Sequence, residues 1–301
     1  MSGKARAKPT NNFENLNSQA NSGKADMDFA RQIEHDHQHT VNTYFQATAH
    51  DWENIYSERS VYAVIHQQRQ ACVLAIVDQL GLALHRRILE VGCGAGLTTT
   101  ALARRGYQVS AVDAVQAMLD LTRRRVTEAV VTERVTTALA DVRQLAFPDK
   151  RFGLVLAIGV LPWVDSLCES VREMQRVTEP GGYLIVTVDN RWRLNEMLDP
   201  RLNPIHAPIR HLIRRLGYQK GMPETQRCSS REFDTVLGNM GYAKLRGIML
   251  GFGPFSLFGQ TILPDRVGVK AHNTLQRFAD RNVPLLRSVG TQYLVLAKVR
   301  D

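Results

Sequence analysis

The residues best suited to chemistry in this chain are a glycine-rich turn, Glu90-Val91-Gly92-Cys93-Gly94-Ala95-Gly96, and two aspartates beyond it, Asp113 and Asp141. Arg87 to Val91 is a short apolar run, and Leu97 to Arg105 carries a helical pattern closed by Gly106. Strand, glycine turn and helix in that order present backbone N–H groups and a helix N-terminus to a ligand. A dinucleotide turn places two residues between its second and third glycines. Here Gly96 comes one residue early and Leu97 holds the expected place, which argues against NAD or FAD. A Gly-x-Gly-x-Gly turn instead lets the backbone approach a flat adenosyl ligand that has no pyrophosphate. Asp113 closes the next strand, 21 residues after Gly92. A carboxylate there accepts hydrogen bonds from both ribose hydroxyls, although the same residue type also caps a helix beginning at Ala114. Asp141 follows a third strand and is placed to accept from an adenine amino group, with the Val142 N–H toward a ring nitrogen.

These residues need a scaffold, and the pattern supplies one. Strands are expected at 87–91, 108–112, 135–139, 152–158 and 183–188, with helices at 97–105, 114–129 and 166–177 between them. Glu179-Pro180-Gly181-Gly182 is a turn that stops the last of these helices. Strands alternating with helices at this pace predict an α/β fold, with helices on both faces of a mostly parallel sheet and right-handed crossovers. A helix at 230–240 and strands at 242–249 and 291–298 complete the pattern. The forty or so residues between those two strands exceed what a loop needs and point to a binding element. Upstream, residues 1–35 have the composition of a disordered tail, and 36–84 form a helical cap whose helix at 61–80 stops at Gly81.

Composition excludes several classes. No apolar run reaches the ~18 residues that cross a bilayer, and the N-terminus lacks the apolar core of a secretory signal. Cys72, Cys93, Cys168 and Cys228 stand far apart, which disfavours zinc and disulfides and suits a reducing cytoplasm. The net charge is +9, and residues 191–231 hold nine basic side chains against three acidic ones. That stretch reads as a solvated helix face or as a surface for an acidic partner. Within it, 209–216 is amphipathic enough to rest on an anionic membrane.

The turn, Asp113, Ala140-Asp141, the run from Leu145 to Val155 and the segment from Arg176 to Gly182 together resemble the small-molecule branch of class I S-adenosylmethionine (SAM) methyltransferases, to which ubiquinone- and menaquinone-type enzymes belong. The resemblance covers residues 85–190 and departs at Gly153, where the family usually has Asp. It implies a Rossmann-like sheet of seven strands with strand seven antiparallel, spanning 85–301. It also implies that Glu90, Gly92, Cys93, Gly94, Gly96, Asp113, Ala114, Met118, Asp141, Val142, Gly159 and Val160 contact SAM. Asn190-Arg191-Trp192 and Gly251-Phe252-Gly253-Pro254-Phe255 are similar to segments of bacterial members of less certain substrate.

The acceptor is harder to read. Tyr44, Tyr56, Trp163, Arg191, Phe252 and Phe255 are the candidate substrate contacts, carried by the cap, the loop after strand four and the segments 190–228 and 250–290. The apolar late segment (Phe252, Phe255, Leu257, Phe258, Ile262, Leu263) and the aromatic cap (Tyr44, Phe45, Trp52, Tyr56) suggest a hydrophobic, lipid-like or natural-product acceptor methylated on oxygen. His206 and His211 are the candidate general bases, with His66 a third, although an isolated histidine is more often structural. Glu34-His35-Asp36-His37-Gln38-His39 has metal-binding residue types, but its alternation suits a solvated helix start and no metal is assigned. Three rival readings stand beside this one. An RNA or protein methyltransferase would use the basic stretch, yet no Asn-Pro-Pro-Tyr-type tetrapeptide follows strand four, which disfavours nucleic acid. A SAM-binding scaffold would keep the turn without turnover. A nicotinamide enzyme would need the other glycine spacing.

Overall fold

The computed structural model describes residues 37–197, 225–257 and 260–300. Helix α1 (37–54) precedes α2 (Val61–Leu80). The alternating core follows as β1 (Arg87–Val91), α3 (Leu97–Arg104), β2 (Gln108–Asp113), α4 (Gln116–Glu128), β3 (Val135–Leu139), β4 (Phe152–Ala157), α5 (Leu167–Val177) and β5 (Thr178–Asn190). A short α6 (Leu194–Met197) and β6 (Arg227–Cys228) lead to α7 (Ser230–Asn239) and β7 (Tyr242–Leu250). The hairpin β8 (Ser256–Leu257) and β9 (Gln260–Thr261), helix α8 (Asp265–Asp280) and β10 (Gln292–Val299) end the described chain.

The main sheet runs β3-β2-β1-β4-β5-β10-β7, with β6 on the end of β5. β1 to β5 are parallel, and β10 lies antiparallel between β5 and β7. This is a Rossmann-like sheet with its last strand reversed. Period-two alternation assigns each strand residue to one of two cores. Ile88, Leu154, Leu156, Ile185 and Leu294 pack under α2 and α3 with Val73, Ile76, Val77 and Leu102. Their neighbours Leu89, Val155, Leu184, Val186 and Val295 face α5 and α7 through Val171, Met174, Phe233 and Leu237. These strand residues are buried on both faces of the sheet, which makes it a rigid platform.

One expectation changes in detail. Glu179-Pro180-Gly181-Gly182 does not precede the fifth strand but lies inside β5 as an irregularity. An advance from Phe152 to Leu154 on β4 answers an advance from Thr178 to Tyr183 on β5. The extra residues accommodate Arg86, whose guanidinium pairs with Glu179 at 2.7 Å beside Gly153. A side chain at Gly153 would press on both partners, which accounts for the departure noted at that position.

The stretch between β7 and β10 is held by buried polar latches rather than by apolar packing alone. Gln276 of α8 accepts the Gly251 N–H and donates to the Met249 carbonyl, both at 3.0 Å. His272 accepts the Phe252 N–H at 3.1 Å, and its other ring nitrogen donates to Gln68 of α2 at 2.8 Å. Asn190, at the end of β5, aims its amide nitrogen at the carbonyls of Trp192, Ser288 and Gly290 at 2.8–2.9 Å. Asn190 is fully buried, so its loss leaves those carbonyls without donors. Asn190→Ala is expected to destabilise the fold by about 1–3 kcal/mol. A lower urea midpoint at unchanged slope would show it; an unmoved midpoint would remove this clamp from the account.

Candidate active site

In a parallel sheet the ligand crevice lies beyond the carboxyl ends of the strands, where strand order reverses. Here that point falls between β1 and β4. A cavity of about 1410 Å³ opens there. It is floored by Gly92 after β1, Asp113 at the end of β2, Ala140 after β3, Gly159 after β4 and Asp189 near the end of β5.

The cofactor half is built by the glycine turn. A Cβ on Gly92 would stand 2.2 Å from a methyl of Val160, so the turn and the loop after β4 touch only because that residue is glycine. The Asp113 carboxylate accepts the Gly94 N–H at 2.9 Å and the Val115 N–H at 3.0 Å. It therefore braces the turn and caps the approach to α4 at once. Glu90 is buried and accepts a hydrogen bond from the Thr99 hydroxyl. Burial pushes its carboxyl up to about 8 and that of Asp113 up to about 6, the latter held back by backbone N–H groups. Asp141 is half-buried, and Arg143 grips it with a 2.7 Å ion pair that, with the Arg143 N–H, holds its pKa down against burial. Glu90, Gly92, Cys93, Gly94, Asp113, Ala114, Met118, Asp141, Val142, Gly159 and Val160 all line the cavity. Gly96 does not. It takes a left-handed φ of 74° at the start of α3, and a Cβ there would lie 2.8 Å from the Cα of Thr122. Its requirement for glycine comes from helix packing.

The acceptor half is covered by the N-terminal helices. α1 crosses above α4, with Phe45, Ala49 and Trp52 against Val115 and Met118. Its first turn is tied down by His37 and Asp165 at 2.5 Å. Tyr56, Trp163 and Arg191 line the cavity, together with Phe45 and Trp52. Tyr44 is not on the wall; it stacks behind Trp163 with ring centroids 6.4 Å apart. Phe252 and Phe255 are buried away from it, Phe252 against Ala279 and Val289. Their apolar character is spent on packing the late segment onto the core. His206 and His211, like the amphipathic stretch 209–216, lie outside the described residues. His66 lines the cavity, but its Nδ1 donates to the Tyr62 carbonyl at 2.9 Å. Burial, aided by the nearby Arg69 charge, pushes its pKa down to about 3, too weak for a general base.

Composition and spacing did not single out the polar floor of this half. Arg193 pairs with Asp189 and, at 3.6 Å, with Glu196, and Arg227 pairs with Glu196. Asn195 donates to the Pro254 carbonyl at 3.2 Å and leaves its own buried carbonyl oxygen without a partner. Arg69 reaches in from α2 and donates to the Gln292 side chain at 3.2 Å. The signal for Arg69 was present as a charge in the row Val61, Ile65, Arg69, Val73, Val77, where every fourth residue is buried. The others converge only through the β5–α6–β6 path.

Residues 89–186 match the family model described as "Methyltransferase domain". A malonyl-[acyl-carrier protein] O-methyltransferase of Halorhodospira halophila is 38% identical over 114 residues, covering 37% of this chain and 38% of that protein. A ubiquinone biosynthesis O-methyltransferase of Alkalilimnicola ehrlichii is 31% identical over 165 residues, covering 54% of this chain and 64% of that one. The matches thus span less than two thirds of either relative. Among solved structures, magnesium protoporphyrin IX methyltransferase from Synechocystis PCC 6803, with bound SAH, shares the fold at TM-score 0.61 and 17% identity, over 88% of this chain and all of that one. The [4+2]-cyclase SpnF shares it at 0.53 and 18%, over 77% and 80%. One fold thus carries more than one named activity, and the assignment rests on the matched residues rather than on overall shape. By those residues, the stretch 89–186 matches a methyltransferase domain, and the chain is similar to class I methyltransferases of the small-molecule branch.

Proposed function

We propose that the chain transfers a methyl group from SAM to a small hydrophobic acceptor, on oxygen. The observation that carries this is the Asp113 carboxylate bracing a glycine turn at the β1–β4 switch point, inside the matched domain. In that reading Asp113 turns to the ribose hydroxyls, Asp141 to the adenine, and Glu90 to the methionyl ammonium. Gly92 and Gly94 give the ligand close approach. SAM supplies an already activated methyl group. The protein's work is to align the acceptor oxygen with it and exclude water. Phe45, Trp52, Tyr56 and Trp163 give an apolar wall, while Asn195 offers an acceptor for a donor on the substrate. The Halorhodospira and Alkalilimnicola relatives are both O-methyltransferases by name.

Contact with an anionic membrane is a further part of the proposal. No described helix is long and apolar enough to cross a membrane, so contact would be peripheral, through the basic 191–231 stretch. Flotation with anionic but not neutral liposomes is expected; no flotation with either removes this part.

Labelled SAM incubated with lipid, small-molecule, RNA and protein fractions tests the activity. Label is expected in the first two; transfer only to RNA or protein would overturn the reading. Calorimetric titration tests the cofactor half. Asp113→Ala is expected to weaken SAM binding by about 1.5–3 kcal/mol, as befits a lost hydrogen bond to a charged group. The same titration carries a pH signature. A cation bound beside Glu90 favours its ionised form, so SAM binding near pH 7 should release protons and tighten as pH rises from 6 toward 8. In the free protein the sign reverses. A carboxyl raised from its ordinary 4.5 to about 8 contributes stability that is fully present below 4.5 and is lost as pH rises from there to about 8. Buffers of differing ionisation enthalpy read the proton release, and Glu90→Gln should abolish it.

A further inference from the structure

Arg69 is buried in the middle of α2 and lines the cavity. A guanidinium carries five N–H donors. Here the Gln292 side chain takes one at 3.2 Å, and no carboxylate among the described residues lies within ion-pair distance. The two acids that line that half are already committed, Asp189 to Arg193 and Glu196 to Arg193 and Arg227. A charge removed from water without a counter-charge is costly, and proteins rarely keep one unless an anion arrives to pair with it.

Its position says where that anion sits. A Cβ built on Gly159 would stand 3.0 Å from Nη1 and 3.4 Å from Nη2 of Arg69. Gly159 precedes Val160, whose methyl rests on Gly92 of the cofactor turn. The guanidinium therefore borders the mouth of β4, one residue from the contact between the cofactor turn and the acceptor half. A cation there repels the sulfonium of SAM and attracts the group that attacks it.

The surroundings also lack a base. His66 is neutral and too weakly basic, and burial pushes the Tyr62 hydroxyl up to about 12. Asp189 and Glu196 are neutralised by their arginines. A neutral alcohol would find nothing among these described wall residues to take its proton, whereas an acceptor ionised before it binds needs nothing.

We propose that the methyl acceptor is a carboxylate and that Arg69, oriented by Gln292, binds it. This rests on the reading of the cleft as a site of methyl transfer from SAM. A lone pair of the carboxylate oxygen forms the new O–CH3 bond as the C–S bond breaks and its electron pair returns to sulfur. The carboxylate and sulfonium charges cancel, no proton changes hands, and the products are a methyl ester and S-adenosylhomocysteine (SAH). A planar guanidinium suits a carboxylate because its paired N–H groups match both oxygens.

The test is a 19F NMR titration of the full chain, saturated with SAH, using an ω-trifluoro-octanoate and the matching alcohol. The wild type is expected to bind the carboxylate roughly ten- to hundredfold more tightly. Arg69→Gln should erase that preference while SAH affinity holds, which also reports an intact fold. Where Arg69→Gln does not bind SAH, Arg69→Lys carries the test, with a several-fold narrowing expected. Equal affinity for the two probes in the wild type, including no binding of either, overturns the proposal. So does a preference that survives both substitutions. In the labelled-SAM assay the transferred methyl should be released by mild alkali, as an ester is; alkali-stable label also overturns it. Failure of SAH itself to bind would instead sink the reading of the cleft beneath it.

Discussion

Asp113 receives one hydrogen bond from the turn after β1 and another from the backbone entering α4, and it stands at the end of the strand between them. Three separate pieces of chain are thereby fixed to one carboxylate. Gly92, Gly94 and Gly96 of the turn are all left-handed, so its backbone needs partners from outside to hold its shape. Thr122 and Arg125 of α4 donate to the Gly94 and Ala95 carbonyls of the same turn, and with the brace they hold Gly92 against Val160. That contact joins the turn to the loop after β4. A buried acid thus stands at the centre of the cofactor half, and its raised pKa reflects how much desolvation that arrangement accepts.

The acceptor half obeys a different constraint. Its walls come from α1, α2, the end of β5, α6 and the start of β10, which no single motif brings together. Polar groups do the joining: Asn190 to the strand entering β10, Gln276 and His272 to the strand leaving β7, and His272 through Gln68 to α2. Each donor or acceptor is buried and matched, so the late segment docks in one register. The charges on the floor alternate from Asp189 through Arg193 and Glu196 to Arg227, and they neutralise one another. Arg69 stands outside that chain of pairs.

Legibility in the sequence divides along the same line. The cofactor half lies in one stretch of sequence, where spacing alone orders strand, turn and helix. Its strands, its helices and Asp113 were legible because period and turn chemistry are local. Gly96 misled because two needs for glycine look alike in sequence: close approach to a ligand and close approach of α3 to α4. Phe252 and Phe255 misled because an apolar run lining a pocket and one packing a core have the same composition. The Pro-Gly-Gly segment looked like a turn, and only pairing with β4 shows it as an irregularity within β5. Asn190-Arg191-Trp192 stood out as a motif before its reason was visible, since two of the three carbonyls that Asn190 satisfies come from residues about a hundred positions later. The basic stretch is only partly placed, because 201–220 falls outside the described residues.

The family match ends at residue 186, three residues before Asp189 begins the acceptor floor. The matched stretch holds the glycine turn, Asp113 and Asp141, whereas α1, α2 and the polar floor from Asp189 onward lie outside it. Such a layout separates two kinds of inheritance within one chain. Changes in α2, α6 or the segment from β7 to β10 can redraw the acceptor pocket without disturbing the brace on the glycine turn. A relative's name consequently transfers across the centre more securely than its substrate does across the flanks.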